Sequence, residues 1–318
     1  MRVAILNNLR AGRSERQVSR ILTLLRDYPE VLHVETGDTG ALTEAFIELA
    51  KNRVDLLFVN GGDGTLQHAL TEILERNAFE RPPLIAPLRG GRTNMTALDL
   101  GTQRDPVRAL SDVLAAIKTG TLDQRLMKRP ILRVESRTRG LVQYGMFFGA
   151  GVIHRAIALT HQLFPTRRTN GVVGAGLVTS GLMARVAFRS RDGVLTSDKA
   201  QIYLDGELVP DGEYMLMIAS SLERLFLRMN PFWGDQSGGV RFTSIAYDAE
   251  HMARALPGIA CGRPLKRVQP EAGFTSRNVE RAEIRFDCGF TIDGEIFEAK
   301  PDEFVTLTAD RRVTFVRA

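Results

Sequence analysis

One stretch constrains this chain more than any other: the apolar run Leu56-Leu57-Phe58-Val59, the glycine-rich Asn60-Gly61-Gly62-Asp63-Gly64-Thr65, and the helical pattern that follows. Leu66, Ala69, Leu70, Ile73 and Leu74 recur at helical spacing. The local order is therefore strand, tight turn, helix. Three glycines within four positions let the backbone bend sharply and approach a ligand without Cβ clashes. The turn opens onto a helix N-terminus, where unpaired N–H groups and the positive dipole end favour phosphate. Asp63 in such a loop repels phosphate by itself and makes sense when a cation such as Mg²⁺ lies between them. The plainer reading is a connecting turn with Asp63 as a helix cap.

The same alternation runs through the first 120 residues. Val3–Leu6, Val31–Glu35, Asp55–Val59 and Leu84–Leu88 read as strands. Helical patterns separate them, at Val18–Leu25 with Ser14 as a candidate cap, at Ala41–Leu49 after Asp38 or Thr39, and at Val107–Ile117. Strands alternating with helices predict a largely parallel sheet covered on both faces. Ligands of such sheets bind beyond the carboxyl ends of the strands, here Asn8–Gly12, Thr36–Gly40, Gly61–Thr65 and Arg89–Asn94.

From about Thr121 short β-like runs dominate: Ile131–Glu135, Leu141–Phe148, Ala200–Leu204, Tyr214–Ala219, Val240–Tyr247, Glu283–Phe286, Phe304–Leu307 and Val313–Val316. Helical stretches at Val152–Leu163 and Gly171–Phe188 interrupt them. The fold class expected is α/β: a Rossmann-like parallel-sheet domain over residues 1–122 and an antiparallel β-sandwich domain over 123–318. The boundary lies near Gly120–Leu126, and the last strand can return to either domain.

Composition narrows the function classes. The 318 residues are 44% hydrophobic, ample for packed cores, and no run of about 20 uncharged apolar residues predicts a spanning helix. The opening apolar run is too short for a signal peptide. Cys261 and Cys288 form no C-x-x-C, and the five histidines form no H-x-x-x-H pair, so a structural metal has little support and a reduced cytosolic compartment fits. The net charge of +5 is dispersed, with short clusters at Arg137–Arg139, Arg167–Arg168 and Arg311–Arg312. That pattern lacks the dense stripe or motif of a nucleic-acid module, so nucleic acid is not expected as a partner.

Several motifs together resemble the diacylglycerol kinase catalytic-domain family, which includes soluble bacterial lipid kinases, sphingosine kinases and ceramide kinases, and which is more distantly similar to NAD kinases. Asn8-Leu9-Arg10-Ala11-Gly12 resembles the family's Asn-Pro-x-Ser-Gly loop with Leu9 for the proline. Asn60 to Thr65 matches its GGDGT signature, and Asp293-Gly294-Glu295 its late Asp-Gly-Glu. The resemblance implies a nucleotide domain and a β-sandwich domain with the active site between them. ATP would be contacted by Asn8, Arg10, Gly12, Thr36, Gly61, Gly62, Asp63, Gly64, Thr65, Arg92, Thr93 and Asn94. Asp63 would organise Mg²⁺, through water, and Glu295 would deprotonate the lipid hydroxyl with Asp293 positioning or replacing it. Phosphoryl transfer to an alcohol needs such an acceptor. Asp293-Gly294 also reads as a hairpin turn, and the two readings are compatible. On these roles, Asp63→Asn is expected to abolish transfer and leave the fold intact.

The chain departs from the family in two places. Gly91-Arg92-Thr93-Asn94-Met95 stands where the family has Gly-Thr-x-Asn-Asp. Thr93 then supplies the hydroxyl one position late, Arg92 either touches phosphate or is solvated, and Met95 removes a charge and widens the room for the acceptor. Gly234-Asp235-Gln236-Ser237 keeps only Asp235 of an acidic cluster that holds a structural Mg²⁺ in bacterial members, a weak metal site at most.

The expected activity is ATP-dependent phosphorylation of a lipid hydroxyl, on diacylglycerol, a sphingoid base or ceramide. An NAD kinase and a non-catalytic nucleotide-binding membrane regulator are the alternatives. The lipid would be met at a membrane surface by a cytoplasmic, peripherally bound protein, with a homodimer among the open oligomeric states. Leu222–Trp233, with the only Trp, and Leu163–Arg168 are the candidate membrane contacts, set against core packing of their aromatics.

Overall fold

The computed structural model describes residues 1–9, 15–37, 39–91, 93–136, 140–163, 196–300 and 302–318. Arg10, Gly12, Ser14, Asp38, Arg92, Arg137–Arg139, residues 164–168 and Gly171–Phe188 lie outside them. Two compact units make up the chain: Met1–Pro130 with Arg312–Ala318, and Ile131–Arg311.

Unit 1 alternates as its sequence pattern requires. Its strands are β1 (Val3–Asn8), β2 (Leu32–Thr36), β3 (Leu56–Gly61) and β4 (Leu84–Arg89). Its helices are α1 (Glu15–Leu25), α2 (Thr39–Lys51), α3 (Asp63–Leu74), α4 (Met95–Asp99) and α5 (Pro106–Lys118). The strands pair in the order β2-β1-β3-β4, all parallel, with Leu6 between Val34 and Val59. Every residue of β3 is buried, because a parallel strand with helices on both faces has no wet side. Val3, Ile5, Phe58, Ala86, Leu110 and Val113 belong to one apolar cluster of this unit. The chain's final residues rejoin this sheet, with Phe315 parallel to Ile85 of β4. Asp105 caps α5, accepting the Val107 N–H at 3.0 Å, and Pro106 occupies the first helical position.

Unit 2 is antiparallel. It contains β5 (Leu126–Ser136, from Ile131 on), β6 (Leu141–Gly145), β7 (Phe147–Gly151), α6 (Val152–Leu163), β8 (Asp198–Leu204), β9 (Glu207–Leu208) and β10 (Gly212–Ser220). There follow β11 (Val240–Ala246), α7 (Met252–Ala260), β12 (Phe274–Val279), β13 (Arg281–Phe286), β14 (Phe290–Ile292), β15 (Glu295–Phe297) and β16 (Phe304–Val316, to Arg311). Strand β10 pairs with β7, β8 and β11, and β13 joins β8 to β16. These strands enclose one core in which Phe148, Phe286 and Phe290 pack with ring centroids 5.5 to 6.4 Å apart.

Two runs divide differently from the sequence expectation. Leu141–Phe148 is not one strand: it breaks at Met146, where a carboxylate from a distant hairpin captures two backbone N–H groups. Phe304–Leu307 and Val313–Val316 are one strand, since nothing between them favours a turn and Asp310, Arg311 and Arg312 are exposed along it. Strand β12 and the five-residue α4 carry too little periodicity to be read in advance, and helix α7 is obscured by its internal Pro257 although Met252, Ala255, Leu256 and Ile259 keep helical spacing. Among the described residues no helix is long and apolar enough to cross a membrane.

Candidate nucleotide loops and the Asp-Gly-Glu hairpin

The carboxyl ends of β1 and β3 carry buried polar residues where each strand leaves the apolar core. Asn60 donates its amide to Asn7 Oδ1 at 2.7 Å, and the Asn7 amide lies 2.8 Å from His33 Nε2. Asn8 donates to Thr65 Oγ1 at 2.8 Å, which leaves the Thr65 hydroxyl proton able to donate elsewhere. The backbone N–H of Leu9 reaches the Thr36 carbonyl at 3.1 Å. These bonds tie the end of β1 to the first turn of α3, and Leu9 to the end of β2.

The glycines allow backbone to lie on backbone. A Cβ on Gly61 would fall 2.6 Å from the Thr65 side chain, and one on Gly91 would fall 2.3 Å from Gly62 Cα. A Cβ on Gly90 would likewise fall 2.4 Å from Asn60 Oδ1. The loops after β3 and β4 are thus pressed together, and the α3 N-terminus, capped by Gly62 with no side-chain bond, leaves its first-turn N–H groups available.

Asp63 has a job that its own loop did not reveal. Its Oδ2 accepts the Met95 N–H at 3.0 Å and its Oδ1 the Thr96 N–H at 3.1 Å, so it caps α4 rather than the helix it begins. Burial pushes its carboxyl pKa up, and these backbone donors pull it down. Asn94 is 3% exposed, in the left-handed region at φ 52°, with its Oδ1 accepting Gly91 N–H at 2.7 Å and its amide donating to Gly91 O at 2.8 Å. These two bonds make it a clamp that holds the Gly91 loop. Thr93 is half-buried beside it.

Unspent polar atoms remain at the ends of β2 and β3 and in α4. Thr36 Oγ1, Asn60 Oδ1 and Thr96 Oγ1 are buried with no hydrogen-bond partner among the described residues. Orphaned buried groups of this kind call for a partner from outside the fold. They suit a polar ligand such as a nucleotide.

The donor set for Mg²⁺ is thinner. Among the described residues no three His, Cys, Asp or Glu side chains are grouped to hold a metal. Asp63 alone fits the usual Mg²⁺ arrangement of one carboxylate, waters and substrate phosphates. Asp235 is exposed, and its neighbour Gln236 accepts the Asn278 N–H.

In unit 2, Asp293 (φ 50°) and Gly294 (φ 91°) form the two-residue turn between β14 and β15, with Ile292 opposite Glu295. Both central residues are left-handed, as the mirror-image hairpin turn demands. Asp293 is 8% exposed; its carboxylate accepts Met146 N–H at 2.9 Å and Phe147 N–H at 3.0 Å, and its own N–H donates to Phe147 O. It is therefore the carboxylate that breaks β6 from β7. Of the two candidate bases, Asp293 is committed to backbone and Glu295 is exposed at the start of β15. The Met146–Phe147 junction has no motif of its own; its signal is Gly145, where a Cβ would meet Asp293 Oδ2 at 2.6 Å.

The candidate membrane segment divides. Leu222 and Phe232 are buried, and half-buried Trp233 packs against the cluster of Val152, Met215, Ile245 and Phe274. Its backbone N–H donates to Ser276 Oγ at 3.0 Å. The Arg241 guanidinium lies 4.7 Å from the Phe232 ring centroid. Trp233 is thus half-buried against the apolar side chains of this cluster.

Comparison with known proteins agrees with this geometry. Residues 2–123 match the diacylglycerol kinase catalytic domain family. A protein of Enterobacter sp. (strain 638) named "Probable lipid kinase YegS-like" is 34% identical over 111 residues, which is 33% of this chain and 35% of that protein. The match thus spans about a third of that relative. A diacylglycerol kinase structure from Bacillus anthracis str. Sterne superposes with a TM-score of 0.63 at 16% identity, covering 100% of this chain and 97% of that one. Yeast NADH kinase complexed with NADH superposes at 0.53 with 10% identity, covering 100% and 84%. Residues 2–123 thus resemble a diacylglycerol kinase catalytic domain, and the fold is the mixed parallel and antiparallel one of these solved structures.

Proposed function

We propose that the protein is an ATP-dependent lipid kinase that transfers the γ-phosphate to a hydroxyl of diacylglycerol, a sphingoid base or ceramide. The observation that supports this most is the loop pair at the α3 N-terminus, where two glycine-rich loops pack backbone on backbone beside free first-turn N–H groups, within the stretch matched to that family. In this reading the first-turn N–H groups of α3 and the Thr65 hydroxyl bind phosphate oxygens, and the unpaired Thr36 hydroxyl takes a ribose or phosphate oxygen. Asp63 would hold Mg²⁺, which would supply charge neutralisation at the transferring phosphoryl group. Exposed Glu295 accepts the proton of the lipid hydroxyl, and Asp293 positions it by fixing the hairpin.

The test is transfer of radiolabelled γ-phosphate from ATP with Mg²⁺ to a panel of diacylglycerol, sphingosine, ceramide and NAD in mixed micelles. Label in one lipid, lost in Glu295→Gln with unchanged melting and ATP binding, is the expected result. Label in NAD alone moves the protein to the NAD kinases. ATP binding with no label in any acceptor defeats the enzymatic reading.

A further inference from the structure

We propose that two adjoining loops of unit 2, residues 223–229 and 261–267, form a surface that docks on an anionic lipid bilayer. The proposal rests on the lipid reading above and names the surface that would bring the protein to its substrate.

The first loop holds an apolar side chain in water by force. Leu227 (φ 57°) and Arg228 (φ 60°) are consecutive left-handed residues, a conformation that side chains other than glycine rarely accept. Short backbone bonds impose it: Leu225 N–H to Met229 O at 2.7 Å, Arg228 N–H to Leu225 O at 3.0 Å and Met229 N–H to Phe226 O at 3.2 Å. Arg241 braces the loop base through the carbonyls of Leu222, at 2.6 Å, and Glu223, at 3.1 Å. The result is a Leu227 side chain that is 63% exposed beside an exposed Arg228.

The second loop lies against the first. Asn230 N–H donates to Ala260 O at 2.8 Å, and a Cβ on Gly262 would fall 2.8 Å from Asn230 O. This loop repeats the pattern: Leu265 is 53% exposed between exposed Arg263 on one side and exposed Lys266 and Arg267 on the other. Across both loops Arg224, Arg228, Arg263, Lys266 and Arg267 stand against one acid, Glu223. Behind them, Val268 and helix α7 anchor the second loop in an apolar cluster.

Two exposed leucines ringed by cations match the chemistry of a bilayer interface, where aliphatic side chains enter the acyl boundary and Lys and Arg meet anionic headgroups. Single-stranded nucleic acid fits less well, because stacking on bases needs exposed aromatic rings and both exposed apolar side chains here are aliphatic.

Cys261, exposed within the second loop, offers a probe site. Burial pushes the Cys288 thiol up to about 12, so an environment-sensitive thiol fluorophore reacts at Cys261. The experiment is nucleotide-free sedimentation, with probe emission, on phosphatidylcholine vesicles with and without phosphatidylglycerol. Wild type is expected to co-sediment and shift blue only with the anionic lipid, and to release in high salt. The triple variant Arg263→Gln, Lys266→Gln, Arg267→Gln should bind about a hundredfold more weakly, at about fivefold per charge. Leu227→Ser with Leu265→Ser should lose the blue shift; both variants alter only exposed side chains and should melt as wild type. Equal partitioning to neutral vesicles, unchanged binding by the folded variants, or binding to polyglutamate or duplex DNA without vesicle binding would overturn the proposal. Turnover of micellar lipid without vesicle binding would overturn docking alone. Vesicle binding without turnover of any lipid would retain docking and defeat the kinase reading.

Discussion

Asp63→Asn changes no more than one atom, yet it should destabilise unit 1. The carboxylate accepts two backbone N–H groups at the start of α4, at 3.0 and 3.1 Å. Hydrogen bonds to an ionised acceptor contribute about 1.5–3 kcal/mol each, and a neutral one about 1 kcal/mol. The Asn oxygen keeps one bond, weakened, and its NH₂ faces the other N–H donor to donor. Relief of burying a charge offsets part of the loss, leaving a net cost of about 2–4 kcal/mol. At about 2–4 °C per kcal/mol for a unit of this size, melting should fall by roughly 4–16 °C. Thermal melting at pH 7 reads the total, and hydrogen exchange reads the place: the Met95 and Thr96 amides should exchange faster in the variant. A variant that melts with wild type and keeps both amides protected, while losing transfer, would refute the cap and restore a carboxylate devoted to metal. The expectation of an undisturbed fold is thus corrected, because the side chain's partners lie on another helix.

Other outcomes follow from the same contacts. Gly91→Ala should cost about 1–3 kcal/mol and weaken ATP binding, since its Cβ meets the Gly62 backbone at 2.3 Å, whereas Gly62→Ala, with Gly91 Cα at 3.6 Å, should fold as wild type; denaturant titration of the pair checks this. Asp105→Ala removes the α5 cap and should cost about 1 kcal/mol. The Arg20 guanidinium and the Val107 N–H hold the Asp105 carboxyl below its ordinary 3.8, so this stabilisation is full above that value and fades as pH falls below it; melting of both proteins across acid pH reads the convergence. Asp293→Asn keeps a residue that tolerates the left-handed turn but turns one acceptor into a donor, costing about 1–3 kcal/mol, with faster exchange at Met146 or Phe147 as the check. Trp233→Ala should lower unit 2 stability by about 2 kcal/mol and leave binding to anionic vesicles unchanged, the reverse of the expectation from its sequence neighbours.

The strand and helix order of unit 1 was legible because its signals are local. Leu56 to Val59 is apolar without break because both faces of β3 are covered, and α3 and α5 show their buried stripes at helical spacing. The Asp293-Gly294 turn was legible for a similar reason, since two left-handed positions select that pair. Other features depend on partners far along the chain. The break at Met146 is made by Asp293, and Leu227 is turned outward by a loop that Arg241 braces.

What the sequence determined by itself was local chemistry: a tight glycine turn between a fully buried strand and a helix, a hairpin with an acidic tip, and a change from parallel to antiparallel patterning. Tertiary structure alone decided what each polar side chain is spent on. Asp63, Asn94 and Asp293 bond to backbone groups brought to them in space, Glu295 is exposed, and the buried Thr36 hydroxyl has no partner among the described residues. The reason is physical: a residue's type and spacing set which bonds it can make, but only the folded chain sets which donors reach it and whether water can.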